Sequence, residues 1–327
     1  MIAAFMADNE QSLAERLLAG DKRALARAIT LVEDDKPEGW ELVREVYPHT
    51  GGAAIVGVTG PPGVGKSTLM GALTKLERER GRTVAVLSID PSSPFTKGAL
   101  LGDRIRLSDH FLDPGVFIRS MANRGHLGGI AAATPQAIRV LDAAGFDPII
   151  IETVGVGQDE VEIASTADSV VVLLAPGMGD AIQTAKAGIL EIADLFAVNK
   201  SDKPDAHQVV KDLRNMIALA GRPEDGAKRW KPPIIPTVAV NGPRDEGICD
   251  LVAKLDAHWK WLTSTGELDA RRRARARDEI TVLAVAALHA RLDLGRIDAL
   301  AGQVADGTLD PFTAAETLLE GIRLPRG

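Results

Sequence analysis

The stretch Gly60-Pro61-Pro62-Gly63-Val64-Gly65-Lys66-Ser67-Thr68 constrains this chain more than any other. It fits G-x-x-x-x-G-K-[ST], and its flanks are those the spacing requires: the apolar run Ala53 to Val58 leads in, and the helix-forming Leu69 to Arg80 leads out. A strand that turns through glycines into a helix leaves backbone N–H groups pointing inward at a helix N-terminus, where an anion is favoured. Lys66 is then placed to reach the β- and γ-phosphates of a nucleotide, and the Ser67 hydroxyl to bind Mg²⁺.

From residue 53 to about 262, short apolar runs alternate with helical stretches. Candidate strands are Ile55–Thr59, Val84–Ile89, Val116–Ser120, Ile149–Glu152, Val170–Leu174, Leu195–Val198 and Ile234–Val240, with helices expected over 67–80, 134–145, 180–193, 205–220 and 245–263. Strands that are apolar throughout and separated by helices predict an α/β fold, a mostly parallel sheet covered on both faces. Ligands of such sheets bind at the carboxyl ends of the strands. Residues 1–50 read as a helical extension. Ser12 to Glu15 has capping-box spacing with Leu13, Leu17 and Leu18 on one face, a second helix near Asp21 carries Leu25, Ile29 and Val32, and Pro37 opens a third with Trp40, Val43 and Tyr47. Pro48 to Gly52 breaks the pattern, so the nucleotide domain is expected over 51–264 and a helical segment over 265–327.

That last segment holds Arg271, Arg272, Arg273, Arg275 and Arg277. With a formal net charge of -7 on the chain and no aromatics between these arginines, they read as the solvated face of a helix. The same charge argues against nucleic acid as a partner. Asp310-Pro311 has the form of an N-cap and first helical residue, opening a final helix through Leu319. Helices beyond a complete α/β domain need a surface to pack on, whether that domain or a second subunit. The single cysteine, Cys249, cannot form an intrachain disulfide or a thiolate metal site alone, which makes a reducing, cytoplasmic location the expectation. The apolar start lacks a basic region, and no run approaches the roughly 18 to 20 residues that span a bilayer.

A second signature, Asn199-Lys200-Ser201-Asp202, follows the strand Leu195–Val198. A carboxylate such as Asp202 can accept from both N1–H and the exocyclic amine of guanine, and adenine offers neither in that arrangement. Leaving the carboxylate unpaired disfavours ATP, so the expected ligand is GTP. Between the two signatures, Pro148 to Gly155 is an apolar strand ending in Glu152, placed to hold Mg²⁺ directly or through water, and Gly155 lets a backbone N–H approach the γ-phosphate. Val156 stands where many GTPases carry a water-orienting Gln; Gln158 and Asp159 are near enough to compensate. Asp90 ends the strand Val84–Ile89, and a polar loop separates it from Asp103; carboxylates on such a loop suit a nucleotide-dependent switch.

Taken together, Gly57 to Thr68, Ile89 to Pro94, Ile151 to Gln158 and Val198 to Asp202 resemble the MeaB/ArgK family, whose human member is MMAA. The resemblance implies a P-loop GTPase that chaperones adenosylcobalamin-dependent methylmalonyl-CoA mutase, with the cobalamin held by the mutase. It implies that Asp90, Asp103 and Glu152 surround Mg²⁺ with Ser67, and that Lys66, Glu152 and Gln158 serve hydrolysis. Pro176 to Lys186, with Asp180, Gln183 and Lys186, would be a further switch. The implied partners are a second copy joined through the C-terminal helices, the mutase, and its cobalamin-loading adenosyltransferase. Val238-Ala239-Val240 would form a further guanine loop, although it lacks the family's Ser-Ala. Two other readings stand beside this one. A nickel metallochaperone would need clustered ligands, whereas His49, His110, His126, His207, His258 and His289 are scattered; a small-molecule kinase would prefer ATP.

Overall fold

The computed structural model describes residues 11–91, 110, 112–123, 133–153, 163–177, 189–219, 230–289 and 291–320. Its strands are β1 (Ile55–Thr59), β2 (Val84–Pro91), β3 (Val116–Asn123), β4 (Ile149–Thr153), β5 (Ser169–Leu174), β6 (Leu195–Val198) and β7 (Ile234–Pro236). They form one seven-stranded sheet in the order β3-β2-β4-β1-β5-β6-β7, with every neighbouring pair parallel. The first strand therefore lies in the middle, between β4 and β5. Chains that leave a central strand toward both edges open a crevice at its carboxyl end, which is where Gly60–Thr68 begins.

The helices are α1 (Leu13–Leu18), α2 (Lys22–Glu33), α3 (Pro37–Val46), α4 (Lys66–Glu79), α5 (Ala133–Ala143), α6 (Ile189–Ile192), α7 (Ala206–Leu219), α8 (Glu246–Thr265), α9 (Glu267–His289), α10 (Leu294–Ala305) and α11 (Pro311–Glu320). Strand side chains alternate between faces, and the core follows that alternation. Ile149 and Ile151 pack with Leu17, Leu25, Ile29, Val46 and Leu141 from α1, α2, α3 and α5. Ile150 points the other way, to Leu69, Met70 and Leu73 of α4 and to Ile248 and Leu251 of α8. A third cluster gathers Val172, Phe196, Val209 and Leu213 beneath α7. The chain divides into two compact units, Met1–Arg272 and Arg273–Gly327. None of its described helices is long and apolar enough to cross a membrane.

The N-terminal helices start where the capping residues predict. Ser12 accepts from Glu15 N at 3.1 Å while Glu15 accepts from Ser12 N at 2.8 Å, and Asp21 caps α2 through Arg23 N and Ala24 N. Leu25, Ile29 and Val32 are buried, but on α1 the buried pair is Ala14 and Leu17, and Leu18 turns outward. Tyr47 is also exposed, with the Arg139 guanidinium over its ring. The expected strand Ile234–Val240 stops at Pro236, and residues Ala239–Arg244 form a 3-10 turn. Proline is tolerated at this sheet edge, but Gly242 and Pro243 bend the chain away from the ladder.

At the amino ends of the strands the arginine expectation is corrected. Asp168 and Asp194, both buried, precede β5 and β6 and accept from backbone N–H groups of Ile55 and Val170. Arg271 makes two hydrogen bonds to Asp194, at 2.9 and 3.0 Å, and one to the Asp168 carbonyl. Arg272 reaches Asp168 at 3.2 Å and the carbonyls of Gly51 and Ala53, with its guanidinium over Trp259. Buried carboxylates require a cation, and these two arginines supply it, whereas Arg273 and Arg277 are exposed. Arg271 and Arg272 thereby fasten the start of α9 to the sheet.

His258 lies beside this cluster, with Nδ1 2.8 Å from Ser169 Oγ and its ring stacked on Trp261. Burial pushes its pKa down to about 4; Asp194, Asp168 and Glu267 pull it up, and Arg271 pushes it further down. Because the folded pKa lies below the ordinary histidine value, the unfolded chain takes up a proton first as pH falls. The stability that neutral His258 permits is present above about pH 6.5 and is lost between there and about pH 4. A shift of that size is worth roughly 3 kcal/mol. Urea unfolding followed from pH 7 to pH 4 should therefore show a shallower decline for His258→Gln than for the native chain; equal slopes would contradict this.

Candidate functional site

The phosphate cradle is built by close approach of backbone to backbone. Gly60, at φ 145°, sits under β5, where a Cβ would come within 2.1 Å of the Leu173 carbonyl oxygen. Gly65, at φ 99°, ends the turn as the N-cap of α4, and a Cβ there would meet Asn199 Nδ2 at 2.5 Å. Both positions require glycine for conformation and for space. Pro61 and Val64 are buried, Pro62, Gly63 and Thr68 are exposed, and the N–H groups of the first turn of α4 have no intrahelical carbonyl to bond.

Lys66 and Ser67, the first residues of α4, are buried at this edge. The Lys66 ammonium donates to the carbonyls of Gly60 at 2.7 Å and Pro61 at 3.2 Å, so its charge is held inside the loop. Ser67 Oγ lies 3.3 Å from Glu152 Oε1. Glu152 is 2% exposed and comes from β4, in register with Val58 of β1, so the parallel pairing of the two strands is what delivers an acid to the cradle. Beside it, Thr153 donates to Thr59 across the same strand pair. A cation inside a ring of carbonyls, a helix N-terminus and a buried hydroxyl–carboxylate pair together make a site for an anion carried with a hard cation.

The second signature closes on the first. Asn199, buried at the end of β6, donates Nδ2 to the Val64 carbonyl at 2.8 Å. Its Oδ1 accepts from Ala239 N at 3.0 Å and lies 3.4 Å from Thr237 Oγ1. Lys200 adopts left-handed backbone, φ 57°, a conformation that costs a non-glycine residue about 1–2 kcal/mol, and its Nζ donates to the Gly63 carbonyl at 2.8 Å. Strain of this kind persists where surrounding contacts hold it, and here the side chains of Asn199 and of Lys200 itself reach across to the cradle. Asp202 is 51% exposed, with Lys203 3.9 Å away. Of the expected guanine loop, Ala239 is buried and tied to Asn199, Val238 is half-buried, and Val240 is 80% exposed.

The structure thus gathers Gly60 through Thr68, Glu152, Asn199, Lys200 and the loop at Val238–Val240 into one region. Asp90 lies in β2 two residues beyond Ser88, the register partner of Glu152, so its backbone reaches the same carboxyl edge. Asp103, Gly155, Gln158, Asp159, Asp180, Gln183 and Lys186 lie outside the described residues. Among the described residues, no three His, Cys, Asp or Glu side chains gather as a metal site. The sequence reading missed Asp245. It caps α8 and accepts from Val238 N, and the cue available was an Asp directly before a helical stretch.

The family model described as methylmalonyl-CoA mutase-associated GTPase MeaB matches residues 25–295. The chain belongs to the MeaB family. A Pyrococcus horikoshii protein named as a GTPase is 49% identical over 95% of this chain and 97% of its own length. The methylmalonic aciduria type A homolog of Caenorhabditis elegans, named as mitochondrial, is 32% identical over 95% of this chain and 82% of its own. A crystal structure described as LAO/AO transport system kinase superposes with a TM-score of 0.64 at 29% identity, covering 94% of this chain and 95% of the other. As a MeaB-family member the chain is a P-loop GTPase, and its parallel sheet flanked by helices is the fold expected from the sequence.

The contact between Gly65 and Asn199 can be tested directly. Gly65→Ala forces a methyl group against the Asn199 amide, and GDP affinity should fall at least tenfold, the order expected when a buried polar group loses its partner. Gly81→Ala is the control, because it has the same left-handed backbone at φ 83° with open space around it. Equal GDP affinities for the two variants, measured by fluorescent-nucleotide titration, would contradict the coupling.

Proposed function

We propose that this MeaB-family GTPase is a slow, GTP-dependent switch that gates adenosylcobalamin loading of methylmalonyl-CoA mutase and protects or reactivates the loaded mutase. One observation carries the reading: a nucleotide site with both phosphate and base signatures joined through Asn199 lies in a chain whose family is described as mutase-associated. Binding changes the partner only if the two nucleotide states make different contacts with it, so GTP has to order loops that GDP leaves otherwise. The segments 90–103, 153–160 and 176–186 hold that role in this reading.

In the GTP state Lys66 exchanges the carbonyls of Gly60 and Pro61 for phosphate oxygens, and the first-turn N–H groups of α4 complete the cradle. The buried pair Ser67–Glu152 offers two hard oxygen donors, which fit Mg²⁺; Ser67, Glu152, Asp90 and Asp103 would hold it. When bound, Mg²⁺ neutralises charge shared by the β- and γ-phosphates. The sequence positions of Gly155 and Gln158 suit an N–H for the γ-phosphate and a side chain for the attacking water, since Val156 stands where many GTPases carry the water-orienting glutamine. Without that glutamine in its usual place, turnover is on the order of 10⁻⁴ to 10⁻² s⁻¹. Asp202 accepts from the guanine N1–H and amine, and Val238–Val240 forms a wall of the base site.

The unit Arg273–Gly327 supports a homodimer in this reading. Asp310 caps α11, and Arg296 of α10 donates to the Thr317 carbonyl, yet Ile280, Val285, Phe312 and Leu319 remain exposed in this unit. Apolar side chains left in this way suit burial against a second copy. A pull-down with methylmalonyl-CoA mutase, repeated with GDP and with a non-hydrolysable GTP analogue, tests the function. The amount of mutase retained should differ between the two nucleotides; retention in neither state would remove the mutase as partner.

A further inference from the structure

The loop after β7 has no side-chain hydroxyl at Val238 or Ala239 to brace it, and it does not continue the sheet. Its shape is nonetheless closed from both sides. On the inner side Asn199 Oδ1 takes Ala239 N. On the outer side a single carboxylate, Asp245, does three things. Its Oδ1 accepts from Val238 N at 3.1 Å and from Ile248 N at 3.2 Å, and its Oδ2 lies 3.5 Å from Asn241 Nδ2. Its own N–H donates to the Gly242 carbonyl at 3.2 Å. The same residue therefore caps α8 and draws the loop onto the helix terminus. Gly247 shows how close that approach is, since a Cβ there would come within 2.0 Å of the Pro236 carbonyl oxygen at the end of β7.

We propose that Asp245 is the positioning residue for guanine recognition, holding Val238–Asn241 against the base without touching the nucleotide. The inference rests on that loop being a wall of the base site. The physical reason is that the 3-10 turn is broken at Gly242, whose backbone is left-handed at φ 68°, so the turn's own bonds do not define its angle to α8. A charged acceptor shared between the loop and a helix N-terminus supplies that definition, because hydrogen bonds to an ionised oxygen are the strong ones and the helix dipole favours a negative charge there. Val64 and Ala239 are held by Asn199, so Asp245 governs the base side alone and leaves the phosphate cradle in place.

Two substitutions separate positioning from mere capping. Asp245→Ser keeps a good N-cap for Ile248 N, but its hydroxyl sits one atom nearer the backbone and falls short of Val238 N. Asp245→Asn keeps Oδ1 as an acceptor for both. GDP affinity is measured beside competition by inorganic pyrophosphate, which reaches only the phosphate cradle. Asp245→Ser should weaken GDP about tenfold, the scale of one lost bond to a charged group, with pyrophosphate affinity unchanged, and Asp245→Asn, which keeps the acceptor but not its charge, should weaken GDP only about threefold. If Asp245→Ser leaves GDP unchanged, or weakens GDP and pyrophosphate alike, the proposal is overturned. Asp202→Asn in the same assay reports on the base site itself. It should shift preference from guanine to xanthine nucleotides, and if it does not, the base assignment and this inference fall together. A normal shift at Asp202 with no effect at Asp245 rejects the inference alone.

Discussion

The side-chain amide of Asn199 is the interaction on which the site depends. Three separate pieces of backbone meet there: the cradle at Val64, the base signature that Asn199 itself begins, and the loop at Ala239. None of these can take its position from secondary structure alone, because each is a turn at the end of a strand. An amide can donate and accept at once, so one buried side chain can join a carbonyl on one side to an N–H on the other. Ala is too short for this, and a carboxylate has no donor for Val64. Lys200 adds a parallel tie to Gly63 at the cost of a left-handed backbone, a strain that the surrounding contacts maintain.

The two ends of the sheet divide the work. At the carboxyl ends, polar groups gather around the glycine turn, the Lys66 ammonium and the Ser67–Glu152 pair, with the exposed carboxylate of Asp202 following β6 at the same edge. At the amino ends the polar groups satisfy one another. Asp168 and Asp194 hold backbone N–H groups of β1 and β5 and are paired with Arg271 and Arg272, while His258 is kept neutral between Ser169 and a stacked tryptophan. A buried network that is internally paired stabilises one arrangement of the chain, and a network left open to an anion makes binding possible. The same sheet thereby fastens the start of α9 at one edge and presents a nucleotide site at the other.

Much of this was legible before any coordinates. The strands and most helices follow from apolar runs of strand length alternating with amphipathic segments, and the two signatures meet because each sits directly after a strand of one parallel sheet. Local chemistry predicts local structure well: Ser12, Asp21 and Asp310 cap the helices they precede. What the sequence hid were pairings between distant residues. Arg271 and Arg272 look like a solvated charge run until Asp194 and Asp168, far earlier in the chain, are brought beneath them. The run Ile234–Val240 is rich in β-branched residues, yet Pro236 and the Gly242–Pro243 bend end the strand early, and only then does Asp245 become a loop-holding residue.

Cradle, base signature and loop form one unit joined through Asn199. Amide hydrogen exchange of nucleotide-free Asn199→Ala against the native chain tests it most directly. Loss of the amide leaves a buried Ala239 N–H unsatisfied, a cost of about 1–3 kcal/mol, and removes the brace on Val64. Exchange should be faster at both Ala239 and Leu69, whose N–H donates to the Gly65 carbonyl at the end of the cradle, with the amides of β1 and β4 unchanged. Faster exchange at Ala239 alone, with Leu69 as protected as in the native chain, would contradict it.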